Sequence, residues 1–431
     1  MSGGTGRGGK GGRLPAVLRN RNFARLFSAG LGSAAGFAIG QIALTLIVYG
    51  NTKSALDVAF IGISFIVATV LFSLVAGVLV DRYERRKLMV LADLARAAAL
   101  VALAFSLFLI GFNLPIILAV AFILGTFTTL FQPAERALTP EVVGSDQLAT
   151  ANALVQSTNS IIQSASNSAG GLIYEFLGVT VAISLNAGTF FLSALLIVGI
   201  SGVAVSARPK AAGSKRPSIW QDAREGLGYI RRNRGLLELT LSSGAANFFL
   251  VMVLQFFVIY TETTLKGGGT LFGVLNGLFV LGVAPGAYAS TRYKTVRFAG
   301  RVYILSGVAM GFASLGLVAI PSLVTSSMLI FALGVLLGLL NTTWLTTVQL
   351  IVPSEMQGRY FGVDQLGSTA VIPLGQLLGG IIITASGIGT DYVIAGIGTI
   401  LSTGLFAFSP YLRNLRFSGT ASVPPVESGA K

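Results

Sequence analysis

Long apolar runs recur along the whole chain, divided by short polar, glycine-rich or basic stretches. A continuous apolar run of roughly 20 residues reads as a membrane-spanning helix. The pattern predicts twelve spans, over 23–49, 58–80, 88–111, 114–137, 148–175, 180–204, 236–260, 270–291, 299–320, 323–349, 358–385 and 390–411. Helices are expected because backbone groups in lipid must satisfy one another. A β-barrel is not expected, since barrel strands alternate and these runs do not. The first run is too long for the core of a signal peptide and reads as an uncleaved first span.

Composition sharpens this picture. The 431 residues are 53% hydrophobic and 11% charged, against about 25% charged in a soluble domain. There is no cysteine and no histidine. Disulfides, thiolate chemistry, zinc sites and histidine proton relays are thereby excluded. No cofactor and no metal site are expected. An enzyme is not expected either, because no paired carboxylates stand at catalytic spacing.

A net charge of +14 raises the question of nucleic acid, but the basic residues follow topology. Arg7, Lys10, Arg13, Arg19, Arg21 and Arg25 precede or open the first span. Arg82, Arg85, Arg86 and Lys87 join spans two and three, and Arg292, Lys294, Arg297 and Arg301 join spans eight and nine. Further arginines and lysines fill the central connection from Arg208 to Arg234, while the opposite side carries Lys53 and Lys266. The positive-inside rule then places both termini in the cytoplasm of a cell-membrane protein, with no nucleic-acid partner. Gly4-Thr5-Gly6-Arg7-Gly8-Gly9-Lys10 imitates the start of a phosphate-binding loop, but Gly11 follows where Ser or Thr is required and no strand precedes it. A basic tail near anionic headgroups is the better reading.

The chain repeats itself. An offset of 209 pairs Gly77 with Gly286, Gly125 with Gly334, Asp146 with Glu355, Gln156 with Gln365, and Gly170-Gly171 with Gly379-Gly380. The organisation expected is a tail over 1–22, a six-helix bundle over 23–204, a central cytoplasmic loop over 205–235, a second six-helix bundle over 236–411, and a tail over 412–431. Two such bundles about a pseudo-two-fold axis leave a cavity between them and support alternating access. Gly36 and Gly40, Gly273 and Gly277, Gly282 and Gly286, and Gly334 and Gly338 stand four apart, the spacing for close helix approach.

The connection between spans two and three reads Gly77-Val-Leu-Val-Asp81-Arg82-Tyr-Glu84-Arg85-Arg86-Lys87. It resembles the G-x-L-x-D-R-x-x-R-R-K signature of the major facilitator superfamily, which implies that superfamily's all-α fold of twelve helices in two bundles. The chemistry suits a latch. Gly77 would let helices approach, Asp81 would meet the positive end of a neighbouring helix, and Arg85 would pair with a carboxylate, for which Glu135 is the candidate. The equivalent site in the second half keeps Gly286 but has Ser290 in place of Asp81.

Further segments narrow the resemblance. Phe131-Gln132-Pro133-Ala134-Glu135-Arg136-Ala137-Leu138, Gln147 through Leu154, Asp222 through Asn233, and Val352-Pro353-Ser354-Glu355 look like the branch of enterobactin exporters, macrolide-type drug effluxers and lysophospholipid transporters. That branch implies export of drug-like or siderophore-like molecules. The fifth span departs from the antiporter pattern G-x-x-x-G-P-x-x-G-G. It retains Gly170-Gly171 and lacks the proline.

Polar residues within spans are costly and point to function. Asp93 and Arg96, three apart, share a helix face and read as an intrahelical pair. Asp364 lies about two turns into span eleven with no basic residue three or four positions on. With Asp93 and Glu135 it is a candidate for proton coupling, or else a hydrogen-bonded gate residue. Glu175 and Glu262 read as solvated span ends. Asn159, Gln163 and Asn167, spaced by four, form a stripe that must face a cavity or another helix. Gln41, Asn247, Gln255, Asn341 and Trp344 are candidates to line the same cavity, which reads as amide-rich and nearly uncharged. Phe37, Phe248 and Phe249 are possible aromatic lining, with ordinary packing the favoured role. The stretch after Pro217 is amphipathic, suited to the headgroup layer or to bracing the halves.

The resulting expectation is a monomeric secondary transporter in the lipid bilayer, exporting hydrophobic or amphipathic small molecules against protons. A lysolipid flippase or uncoupled facilitator is the alternative, and a membrane receptor or assembly factor a distant one.

Overall fold

A computed structural model of the chain describes residues 16–201, 219–292 and 299–408. Residues 1–15 of the basic tail, the central connection's Arg208, Lys210, Lys215 and Arg216, and the 412–431 tail lie outside them. The first half contains α1 (Arg21–Thr52), α2 (Ala55–Arg82), α3 (Arg85–Ile110), α4 (Leu114–Val143), α5 (Ser145–Leu177) and α6 (Val179–Val198). After α7 (Ile219–Arg232), the second half contains α8 (Arg234–Gln255), α9 (Phe257–Thr263), α10 (Gly269–Arg292), α11 (Ala299–Ala319), α12 (Leu323–Ile351), α13 (Ser354–Ala370), α14 (Ile372–Ser386) and α15 (Ile388–Gly404).

Among the described residues, ten stretches are long and apolar enough to cross a membrane on composition alone, with α8 and α9, and α13 and α14, each counted as one stretch. The helix α5 is not among them because its polar stripe lowers its apolarity, and α15 has only 17 residues. Both complete the bundle by packing. Spans seven and eleven, expected to be continuous, are each broken. The eleventh breaks at Val371, just before Pro373, which has no N–H to give the helix ladder. The seventh breaks at Phe256 with φ −99° and ψ 13°, where neither proline nor glycine stands.

Local chemistry sets the helix ends. Asn20, Ser54, Asn113, Asn233 and Ser322 each accept a backbone N–H from the first turn that follows. Gly178 and Gly387 both take φ 84° at the turns into α6 and α15, a conformation open to glycine. These two glycines are 209 apart, as are the caps Asn113 and Ser322. The repeat seen in sequence therefore recurs in backbone geometry.

Packing repeats as well. The α1–α5 and α1–α6 contacts have counterparts in α8–α14 and α8–α15, and α2–α4 corresponds to α10–α12. Across the halves α5 packs on α10 and α2 on α14, the exchange that a pseudo-two-fold axis requires. All four glycine pairs sit at close approaches: Gly36 and Gly40 face Asn186 of α6, Gly273 and Gly277 face α5, and Gly282 and Gly286 interleave with Gly334 and Gly338 between α10 and α12.

One end of the bundle carries the α2–α3 turn and α7 and is the basic end; the other is the far end. The halves meet toward the far end. There Leu44, Ile47 and Val48 of α1 and Val58 of α2 share one buried cluster with Phe256, Phe257, Tyr260 and Phe272 of the second half. A separate cluster at the basic end holds Phe23, Leu26, Met89, Phe131 and Ile197, all from the first half.

The amphipathic helix α7 packs on α13. Gly226 lies against the Arg359 carbonyl, where a Cβ would come within 2.7 Å, and Arg359 pairs with Glu225 at 2.7 Å. Its observed partner is thus the second half.

Candidate transport cavity and its latches

The α2–α3 turn is held by its charges. Arg85 donates to the Ala137 carbonyl at 3.0 Å and forms an ion pair with Glu141 at the end of α4. The expected partner, Glu135, is not the one used. It lies two helical turns deeper, while Glu141 stands where α4 passes the turn. Arg86 donates to the Ile200 carbonyl just beyond α6. Glu84 pairs with Arg86 at 3.3 Å and with Lys87 at 2.9 Å, and its hydrogen bond to Lys87 holds its carboxyl below the usual range. Arg82 is exposed, and the side chain of Asp81 lies outside the described residues. Gly77 departs from expectation: a Cβ there would meet nothing within 4 Å. The α2–α14 approach runs through Ala55, Ala59 and Gly62, and Gly77 lies on the other half of α2.

Behind this turn, Asp93 and Arg96 form the expected intrahelical ion pair, with side-chain exposures of 0% and 3%. Ser193 of α6 donates to the second Asp93 oxygen at 2.6 Å. The guanidinium lies between the rings of Phe131 and Phe190, 4.6 and 4.2 Å from their centroids. Opposite charge, a hydroxyl and two π faces together replace the water that both groups lose on burial.

Arg96 also borders a cavity of about 620 Å³. Its polar wall is the stripe Asn159, Gln163 and Asn167 on α5, joined by Gln41 of α1. Its aromatic wall includes Phe37 and Phe65, with centroids 5.5 Å apart, and Phe131. Gln132, Glu135 and Arg136 of α4 close one side. Glu135 is accommodated by Gly30 of α1, whose missing side chain leaves room for the carboxylate. The cavity is therefore amide-rich, as expected, but not nearly uncharged. A stripe read from α5 alone could not show that α3 and α4 turn Arg96, Glu135 and Arg136 to the same space.

Among the described residues, every lining residue comes from the first half. The candidates of the second half serve otherwise. Gln255 donates to the Val58 carbonyl at 2.9 Å and accepts from Gln376 at 3.0 Å, tying α8, α2 and α14 together. Asn247 donates to the Ser368 carbonyl at 3.4 Å. Trp344 packs edge-on to Phe361 at 6.0 Å, and Asn341 is exposed without bordering this cavity. Phe248 and Phe249 pack on each other at 5.0 Å. Asp364 is 4% exposed beside Thr240 of α8, away from the cavity.

Backbone contacts seal the far end. Gly171 lies on the Gly269 carbonyl, and a Cβ at Gly273 or Gly277 would come within 2.6 Å of the Asn167 carbonyl or 2.7 Å of the Ser164 carbonyl. Glu175 accepts from the Thr270 N–H at 2.6 Å at the start of α10, a favourable place for a carboxylate. Glu262 pairs with Lys53. Both acids were expected to be solvated ends; each instead bridges the halves, a relation that depends on which helices meet.

Two pseudo-symmetric helical halves, with a polar cavity lined from the first of them, define a polytopic membrane transporter, with a small molecule as its substrate. The profile of the Major Facilitator Superfamily matches residues 26–375, and the chain belongs to that superfamily. It is 31% identical over 228 residues to the uncharacterized MFS-type transporter YkuC of Bacillus subtilis, covering 52% of this chain and 53% of YkuC, so that match spans about half of YkuC. It is 23% identical over 372 residues to macrolide efflux protein A of Streptococcus pyogenes, covering 83% of this chain and 88% of that protein. The crystal structure of the nucleoside transporter NupG superposes with a TM-score of 0.74 at 13% identity, over 89% of this chain and 98% of NupG. The chain is a transporter and not an enzyme.

Proposed function

We propose that the chain is a proton-coupled exporter of hydrophobic or amphipathic molecules, working by alternating access in the cell membrane with both termini cytoplasmic. The observation that carries this reading is the cavity, where Phe37, Phe65 and Phe131 face an amide stripe and a small charged group. Aromatic surface receives an apolar body, and the amides and charges receive a polar end. Likeness to macrolide efflux protein A supports the drug-like class, and the basic character of one end supports the orientation.

Of the three carboxylates expected to couple protons, Glu135 lines the cavity and is assigned that role. Both Asp93 oxygens are engaged by Arg96 and Ser193, so Asp93 is assigned to holding α3 against α6. Asp364 is assigned to the packing of α13 on α8.

The test is efflux of cationic, neutral and lysolipid fluorescent probes from proteoliposomes, with and without an imposed pH gradient. Gradient-dependent efflux of a drug-like probe is expected. Efflux indifferent to the gradient would assign an uncoupled facilitator, and selective movement of the lysolipid would assign a flippase.

A further inference from the structure

The first turn of α15 holds Asp391, with 0% exposure. Neither of its carboxylate oxygens has a hydrogen-bond partner among the described residues. This differs from Asp93, whose burial is matched by Arg96 and Ser193. An ionised carboxylate is not sustained in an apolar interior without a partner.

Among the described residues, the surroundings of Asp391 offer no compensating charge. On α15 its neighbour Tyr392 donates to the Val253 carbonyl at 3.1 Å, beside the break between α8 and α9. On α9, Tyr260 stacks on Tyr392 at 5.3 Å and bonds the Leu317 carbonyl at 2.8 Å and Ser326 at 2.7 Å. Glu262 of α9 is engaged with Lys53. The helix α14 carries no charged residue. Arg234 and Glu238 of α8, and Arg301 and Tyr303 of α11, belong to the basic-end turns of their helices. Asp391 makes no ion pair among the described residues.

Its position links it to the far-end seal. A Cβ at Gly379 of α14 would come within 3.0 Å of an Asp391 oxygen and would also meet Phe256. The next residue, Gly380, faces Ala55, Leu56 and Ala59 of α2, in the other half. One face of this glycine pair thus touches the carboxyl and the other touches the gate. One turn earlier, Gln376 reaches α2 through Gln255.

We propose that Asp391 is a proton-binding site that sets the far-end gate: the neutral acid permits α14 to lie closed on α2, and loss of its proton to the far side favours the opened seal. Charging the group requires water or a donor, and both are gained by moving α14 away from α2 and α15. The sign follows from linkage, since the closed state binds the proton more tightly and rising pH favours the open state. The proposal rests on the alternating-access reading but names a group outside the cavity, so its test reads conformation and needs no substrate.

The chain contains no cysteine, so Asn51→Cys and Ser386→Cys, at exposed far-end positions of the two halves, take spin labels selectively. Distances are measured in the full-length protein in nanodiscs across a pH series. The open fraction is expected to rise with pH, by up to about tenfold per pH unit for one linked proton. Asp391→Asn cannot lose a proton and is expected to hold the short distance throughout. Infrared difference spectra against Asp391→Asn are expected to show a neutral carboxylic acid in the closed protein. If Asp391→Asn does not purify as a monodisperse species, Asp391→Leu replaces it in both measurements. A far end insensitive to pH, a variant that follows the wild-type pH series, or a missing acid band would each overturn the proposal. Failure of proton-coupled export with these results intact would overturn the proposed function alone.

Discussion

The Ser164 hydroxyl donates to the Gly277 carbonyl at 2.8 Å across the boundary between the halves. The opposed glycine has no side chain to hold the helices apart, so α5 and α10 meet main chain to main chain. Gly277→Leu, or Gly171→Leu, would force this contact open. The expected outcome is loss of the sealed state, with a cysteine placed at Asn167 newly reached by a membrane-impermeant thiol reagent applied from the far side. Unchanged labelling would show that the seal lies elsewhere.

The Asp93–Arg96 pair predicts an asymmetry between single and double variants. Arg96→Met strands a buried carboxylate and is expected to cost about 3–5 kcal/mol of stability. Asp93→Leu combined with Arg96→Met removes both charges and is expected to cost much less. Thermal unfolding of the detergent-solubilised protein measures both, and simple addition of the single effects would contradict the pairing.

The latch at the basic end predicts which residues couple. A double-mutant cycle with Arg85→Ala and Glu141→Gln is expected to give an interaction of about 1 kcal/mol for a partly exposed pair. The same cycle with Glu135→Gln is expected to give an interaction near zero.

For the cavity, Asn159→Leu and Gln163→Leu remove amides while keeping side-chain bulk. Each is expected to weaken binding of an amphipathic probe by about 1–3 kcal/mol where a buried polar group of the ligand loses its partner, with little effect on a purely apolar probe. Equilibrium binding to the purified transporter decides between this and a packing role, in which both probes would weaken alike.

The sequence made much of the fold legible because lipid allows few alternatives. Helix positions follow from apolar run length, and the two-fold relation follows from Gly170-Gly171 recurring as Gly379-Gly380. The structure adds that the second glycine of each pair, Gly171 or Gly380, is the one that faces the opposite half. The α5 stripe was legible because a spacing of four fixes a helix face. Contacts set by helices distant in sequence were not. Glu141, Glu175 and Glu262 find partners 56, 95 and 209 residues away. Asp391 stands at the edge of the expected twelfth span, 390–411, and the sequence reading did not single it out. A sharper signal was its position four residues after the glycine turn at Gly387, which places it within the first turn of a helix rather than before it.

The backbone seal along α5 and α10 has a consequence for electrical insulation. Where Gly171, Gly273 and Gly277 bring main chain onto main chain, no file of water fits between the helices to carry ions. Under the proposed function, the membrane would therefore stay energised while cargo enters from the basic end. Because that insulation is made from peptide groups and missing side chains, it is independent of the amides and rings that line the cavity. Under the proposed function, substitutions at Gln41, Asn159 or Phe37 would alter the cavity and leave that insulation intact.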